Sequence, residues 1–458
     1  MPHALASTAE FDAGAQYINS CLALAQTRLG HFSSIAEIAA QERHLNRYPR
    51  LELLETPRQI LVLEDGADAA RLARAQAAVL RGEVLFEHAA AGEGTRLMLG
   101  PKYFLNPAQE LSIERLGHLL SQESGHLVTP EAVAADLECP PQELLPLSLG
   151  TRHMLQLAFD LAKLARELGE SPREVLDRQH LLIIISAEML AHLEKEFYQW
   201  HFFGFNPRQV YFMVQESFHG LNLREGKFFY DRQSPRRLHN HGQMVMQQTM
   251  DRQLFSLSGD HPQEKAFCSQ AAVGDWLEIF TDKISYNIED LAYLTDSIDF
   301  AGLGLALELG QQDYNMVMEV VANNPQKPQK GGMLAWDPEL ARDVMVESFQ
   351  LGDIANADIH YLNRNFNHYP QPCESWRRVG DLGLPLPITV KDGFLYFQPI
   401  QGDINFLVRT AFFRRRELRP IRSLKSPASL PLALNRMYAQ DCQPGFREFV
   451  RRSQQGSL

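Results

Sequence analysis

Two glycines one residue apart, followed by a hydroxyl, a guanidinium and a lysine, mark the stretch Val84–Lys102, which reads VLFEHAAAGEGTRLMLGPK. Gly92 and Gly94 let a backbone turn tightly and bring its N–H groups close to an anion, which a Cβ would obstruct. Thr95 adds a hydroxyl donor, and Arg96 and Lys102 add positive charge. Such a set can hold a polyphosphate. The dinucleotide fingerprint needs a third glycine where Leu97 stands, and the Walker loop needs Gly-Lys-Ser/Thr where the chain has Gly100-Pro101-Lys102. An ordinary tight turn between strand and helix remains the alternative.

These residues have to be positioned by the elements around them. Phe11, Ala15, Ile18, Leu22, Ala25 and Leu29 step by three or four along one helical face, and Ser33-Ser34 can cap a second helix. A third amphipathic helix is read over 66–81. Val84, Leu85 and Phe86 form a strand. The run HLLIIIS at 180–186 has the continuous apolar character of a strand buried in a parallel sheet, and QVYFMVQ at 209–215 is another. Helices are expected over 154–168 and 187–200, with a further strand over 314–321. This alternation predicts an α/β fold with a central, mostly parallel, Rossmann-like sheet flanked by helices. Ligands of such sheets sit beyond the carboxyl ends of the strands, where the glycine loop and Gln215 would both lie. The expected divisions are a helical N-terminal region over 1–78, a central α/β domain over 79–384 with a helical insertion near 111–148, and a small C-terminal lobe over 385–458.

The 458 residues carry a formal net charge of −12, with 45% hydrophobic and 22% charged residues. That balance argues against a nucleic-acid or membrane-surface binder, both of which need a basic face. Basic clusters in an acidic chain instead suit small phosphorylated ligands, and the run RTAFFRRRELRPIRSLK from Arg409 to Lys425 is either such a cluster or a solvated basic face. Five scattered cysteines form neither a disulfide framework nor a zinc spacing. With no signal peptide and no apolar run of membrane-spanning length, a cytoplasmic protein is expected.

Several separated stretches then fall into one order. Gly92, Gly94 and Thr95 precede Gly100-Pro101-Lys102, and a strand ends in Val214-Gln215. Asn240-His241-Gly242-Gln243 and Asn287-Ile288-Glu289-Asp290-Leu291 follow, then Glu319-Val320-Val321, Lys330-Gly331-Gly332 and Glu347. Leu384-Pro385-Leu386-Pro387-Ile388-Thr389-Val390-Lys391 and Leu418-Arg419-Pro420-Ile421-Arg422 complete the series. In this order the chain resembles the UDP-sugar pyrophosphorylases, most closely the eukaryotic-type UTP–glucose-1-phosphate uridylyltransferases. The likeness runs over roughly 80–435. The first glycine and the aspartate of the family's G-H-G-D loop are replaced by Asn240 and Gln243, and arginine stands at 422 for a lysine.

The resemblance implies a glycosyltransferase-A-like sheet and transfer of a uridylyl group from UTP to a hexose-1-phosphate, glucose-1-phosphate being the first choice and N-acetylhexosamine-1-phosphate an alternative. A non-catalytic nucleotide-sugar binder and a glycosyltransferase of related sheet architecture remain as other readings. Arg96, Lys102, Lys391 and Arg422 would neutralise the phosphates. Gly92, Gly94, Thr95, Gln215 and Gly242 would meet the nucleotide, with Gln215 reading uracil. His241, Gly332, Glu347 and Asn356 would meet the sugar phosphate, and Mg²⁺ would be held by Glu289 and Asp290. Asp290 can instead cap a helix, His241 can be surface decoration, and Glu347 can belong to a salt bridge. The family's C-terminal left-handed β-helix is not expected within the chain as it runs to Leu458, and the oligomeric state is left open.

Overall fold

The computed structural model describes residues 10–64, 68–92, 94, 97, 99–257, 264–416 and 423–458. Among the described residues sixteen strands follow in chain order. They are β1 (Ile60–Leu63), β2 (Val84–Ala89), β3 (His180–Ser186), β4 (Val210–Gln215), β5 (Leu221–Arg224), β6 (Lys227–Tyr230), β7 (Leu254–Leu257) and β8 (Lys265–Phe267). The rest are β9 (Asp282–Asn287), β10 (Met316–Ala322), β11 (Met333–Asp337), β12 (Arg342–Val346), β13 (Tyr361–Pro370), β14 (Ile388–Lys391), β15 (Phe394–Phe397) and β16 (Thr410–Arg415).

The large sheet runs β1-β16-β10-β13-β9-β2-β3-β4-β7-β8, with β11 and β12 attached through β13. Its heart, β9-β2-β3-β4, is parallel, and so is β1-β16-β10. The antiparallel β13 separates the two parallel blocks, and β7 and β8 add antiparallel pairs at the far edge. The sheet is therefore mixed rather than mostly parallel. Hydrophobic patterning marks which runs are strands, but long-range pairing decides their direction.

β3 shows why a continuous apolar run reads as a central strand. Leu181, Ile183 and Ile185 enter the core on one face, with the helices 69–80, 149–167 and 190–199, while Leu182 and Ile184 enter the core on the other. Both faces are covered, so alternation disappears. The residues beyond 385, expected as a small lobe, divide between two structures. β14 and β15 join β5 and β6 in a separate four-stranded sheet, and β16 is threaded between β1 and β10 of the large one. The last two helices, Leu430–Asp441 and Phe446–Gln454, close over the helix Leu149–Glu167. Arg152, fully buried on that long helix, donates to the Asp441 carboxylate at 2.6 Å and to Gln440 at 2.9 Å.

At the N-terminus the Ser34 hydroxyl accepts from the Glu37 amide and starts the helix Ile35–Leu45. The 111–148 segment forms the helices Ile113–Ser124 and Pro130–Ala135 against the same helical layer. Among the described residues no helix is long and apolar enough to cross a membrane.

Candidate functional site

The parallel block fixes where a ligand can sit. Ala89 of β2 is level with Ile184 of β3 and Asn287 of β9, and Ser186 is level with Gln215 of β4. The four strands thus end together, and beyond their carboxyl ends opens a cleft of about 630 Å³. It is walled by Gly92, Gly94 and Lys102, by Asn240 and His241, by Ser285, Asn287 and Glu289, by Glu347, Asn363 and Asn367, and by Gln401, Gly402 and Lys425. A second concavity of about 450 Å³ lies at the opposite end of the strands, and its Arg377 is already paired with Glu278.

The glycine loop closes on itself. Gly94 has φ +60°, and a Cβ there would stand 2.4 Å from the Gly100 carbonyl oxygen, so only glycine fits. The Lys102 amide donates to the Gly92 carbonyl at 3.2 Å. The turn Lys102–Phe104 then directs the Lys102 side chain inward, and its ammonium pairs with the Glu289 carboxylate. Thr95 and Arg96, expected to complete this loop, lie outside the described residues, as does Arg422.

Glu289 follows β9, and its amide donates to the Asn287 side chain at 3.0 Å. Its carbonyl accepts from the Leu424 amide at 2.8 Å, and Asp290 forms a bridge with Ser423. This pairing holds the 423–425 segment along the cleft and delivers Lys425 to its wall. Lys425 ends the basic run picked out in the sequence. Earlier in that run Arg415 pairs with Glu319 and Asp299, Arg416 with Glu64, and Arg409 lies over the Tyr314 ring.

Beneath the floor, Glu87 is fully buried and accepts from Lys283 at 3.0 Å, Ser285 at 2.8 Å and Gln248 at 2.8 Å. A buried carboxylate is tolerated when it is paired and hydrogen-bonded in this way. The Ser285 hydroxyl in turn accepts from Gln401 at 3.1 Å, which sets the Gln401 side chain at the cleft wall.

Also on the cleft wall, Glu347 ends the β11–β12 hairpin and caps the turn Ser348–Gln350. Burial pushes its carboxyl above the usual range, while hydrogen bonds from Asn363 and the Ser348 amide act the other way. Asn405 braces this side, accepting from the Met345 amide at 3.0 Å and donating to the Gly402 carbonyl at 2.7 Å. His241 lies in the concave wall yet keeps contact with solvent. Desolvation holds its imidazole below the ordinary value, Lys425 and Lys102 act in the same direction, and Glu289 opposes them.

Other expected site residues stand elsewhere. Lys391 is exposed at the end of β14, where it pairs with Phe394 around a hairpin, and it is not part of the cleft wall. Gln215 is buried, and its Nε2 donates to the Asn240 carbonyl at 2.8 Å, so it fastens the start of the helix Asn240–Gln248. Gly242 is glycine for a packing reason: a Cβ would lie 2.4 Å from the Pro399 carbonyl carbon, and its amide donates to the Pro399 carbonyl at 2.9 Å. Gln243 is fully buried and accepts from the His239 amide. Gly332 sits behind Glu347, where a Cβ would come within 3.4 Å of its Oε2. Asn356 is exposed, and its carbonyl is bound by Asn323.

Asp290 accepts from the Ala292 amide at 2.9 Å and caps the turn Leu291–Leu294, so the capping alternative describes it. Burial, opposed chiefly by that amide, raises its carboxyl above the usual range. No cluster of three or more His, Cys, Asp or Glu side chains suited to a metal occurs among the described residues. Glu289 alone of the expected metal pair offers a carboxylate to the cleft. That fits a magnesium ion held by one carboxylate, phosphate oxygens and water, but not a protein cage. Sequence reading missed Lys425 as an individual site residue, along with Ser285, Asn363, Asn367 and Gln401; only Lys425 carried a signal, as the last cation of the basic run.

No protein-family model and no curated protein matches this chain. Solved structures do resemble it in fold. The UDP-N-acetylglucosamine pyrophosphorylase of Trypanosoma brucei, in complex with an inhibitor, superposes with a TM-score of 0.57 at 15% identity, over 94% of this chain and 85% of that one. A mutant UDP-glucose pyrophosphorylase from Leishmania major gives 0.52 at 14% identity, over 85% and 73%. Another mutant of that enzyme, in complex with UDP-glucose, gives 0.50 at 14%, over 93% and 79%. These likenesses place the mixed α/β architecture among the folds carried by UDP-sugar pyrophosphorylases.

Proposed function

We propose that this chain is a uridylyltransferase that makes a UDP-sugar and pyrophosphate from UTP and a hexose-1-phosphate. The observation that carries the reading is the convergence of Lys102 and Lys425, from stretches 323 residues apart in sequence, on one cleft at the carboxyl ends of parallel strands. Two polyanions must meet there, and such transfers ask the protein mainly for positioning and charge neutralisation.

In this reading the triphosphate lies along the Gly92–Gly94 loop with Lys102 at the phosphates that leave, and Lys425 with His241 faces the phosphate that arrives. An oxygen of the sugar phosphate attacks the α-phosphorus, the bond from that phosphorus to the bridging oxygen breaks, and pyrophosphate departs with the electron pair. Glu347, Asn363 and Gln401 supply hydrogen-bonding groups for sugar hydroxyls. A magnesium ion at Glu289 would neutralise phosphate charge, and the Lys102–Glu289 pair would open to let the triphosphate in. Glucose-1-phosphate is the first substrate to try, with N-acetylglucosamine-1-phosphate the second.

The test is pyrophosphate release from UTP and Mg²⁺ with a panel of sugar-1-phosphates, repeated with the other nucleoside triphosphates. Release with UTP and one hexose-1-phosphate is the expected outcome. Binding of UDP-glucose with no release for any pair would replace the enzyme by a nucleotide-sugar binder.

A further inference from the structure

Gln401 is tied to the floor of the cleft by a chain of hydrogen bonds that ends on a buried acid. Glu87, on β2 and 0% exposed, accepts on Oε2 from the Lys283 ammonium at 3.0 Å and the Gln248 side-chain amide at 2.8 Å. Its Oε1 accepts from the Ser285 hydroxyl at 2.8 Å. Ser285 is level with Glu87 on the neighbouring β9, and Gln401 reaches it from the turn Gln401–Phe406, with Nε2 3.1 Å from the serine oxygen. Ser285 and Gln401 both line the cleft.

The first link sets the direction of the rest. A carboxylate paired with an ammonium only accepts. A serine hydroxyl has one hydrogen, and Glu87 takes it, so Ser285 can only accept from Gln401. Gln401 must then turn its NH₂ to Ser285, which leaves its carbonyl Oε1, the other corner of the same planar amide, for the cleft. Reversal is costly: a Ser285 that donated to Gln401 would set its lone pairs against the buried Glu87 Oε1, and an unsatisfied buried charged acceptor costs more than a typical hydrogen bond returns.

We propose that Gln401 is a specificity-determining residue that offers a ligand only an acceptor, Oε1, and that Ser285, oriented by Glu87, is the positioning residue that fixes this polarity. The ligand group it takes is a hydrogen-bond donor. That this donor is a hydroxyl of the hexose-1-phosphate rests on the uridylyltransferase reading, whereas the polarity of the amide does not. Fluorine in place of that hydroxyl donates nothing and leaves Oε1 facing an electronegative atom, so the analogue is rejected.

The polarity is tested without any ligand, from the solvent exchange of the Gln401 side-chain NH₂ protons by NMR, their signals identified by their loss in Gln401→Glu. Slow exchange is expected in wild type and in Ser285→Thr, which keeps the hydroxyl, and faster exchange in Ser285→Ala. Equal exchange in Ser285→Ala and wild type would overturn the proposal. The ligand is tested by comparing kcat/KM for the hexose-1-phosphate that the chain turns over with kcat/KM for its monodeoxyfluoro analogues. Wild type and Ser285→Thr should lose at least about tenfold on one analogue, and Gln401→Leu and Ser285→Ala should close that gap. A gap as wide in Gln401→Leu as in wild type, with activity falling equally on both sugars, is what a merely structural role gives and would contradict the assignment. A chain that releases no pyrophosphate with any sugar phosphate sinks the enzyme reading alone, since the exchange measurement still decides the polarity.

Discussion

Lys102 and Glu289 meet in an ion pair across the cleft, one from the turn after the glycine loop and the other from the segment that follows β9. The lysine side chain is 7% exposed and the glutamate 23%. In the ligand-free chain each neutralises the other. In the proposed reading a triphosphate on the loop would take the lysine and a divalent cation the glutamate, so the ion pair would give way to both. Replacing Lys102 by Ala should therefore lower the rate of pyrophosphate formation by about two to four decades, measured under saturating UTP.

The two C-terminal lysines should separate. Lys425→Ala, which removes a cation from the cleft wall, is expected to reduce kcat/KM for UTP or the sugar phosphate by at least about tenfold, which is roughly 1.4 kcal/mol of transition-state stabilisation. Lys391→Ala, at an exposed hairpin end, should change it by less than about twofold, as surface substitutions usually do. Steady-state kinetics of the two variants in parallel distinguishes this arrangement from the one the family motif implied.

Glu289 and Asp290 should separate in the same way. Glu289→Gln is expected to raise the Mg²⁺ concentration giving half-maximal activity by about tenfold, since it removes the one protein carboxylate assigned to the ion. Asp290→Ala should leave the Mg²⁺ requirement alone and cost about 1 kcal/mol in a denaturant titration through loss of its cap.

Much of this was legible in the chain. HLLIIIS suits a doubly covered strand, and the strand bounds at β3 match the apolar run residue for residue. The glycine loop was legible because Gly94 answers to a local demand, a positive φ beside the Gly100 carbonyl. Lys391 and Lys425 were not separable, because the strand pairing that leaves one exposed and the bridge from Asp290 to Ser423 that places the other are both long-range. Gly242 and Gln215, expected at the nucleotide, also hold the helix Asn240–Gln248 against Pro399 and β4. A glycine wanted for backbone contact looks the same in sequence whether the other party is a ligand or the chain itself.

That distinction makes a prediction of its own. Gly242→Ala should destabilise the chain by about 1–3 kcal/mol, the usual range for overpacking, because the new Cβ collides with rigid backbone. A denaturant midpoint equal to wild type, with activity lost, would return Gly242 to the ligand-contact role.

In the proposed reading the cations of this one cleft work on a triphosphate. This is tested most directly by following pyrophosphate formation from UTP, Mg²⁺ and glucose-1-phosphate or N-acetylglucosamine-1-phosphate, with wild type and Lys102→Ala side by side. Turnover by wild type with one of the two sugars and a loss of at least about a hundredfold in the variant are expected. Equal rates in the two chains, or no pyrophosphate from wild type with either sugar, would contradict it.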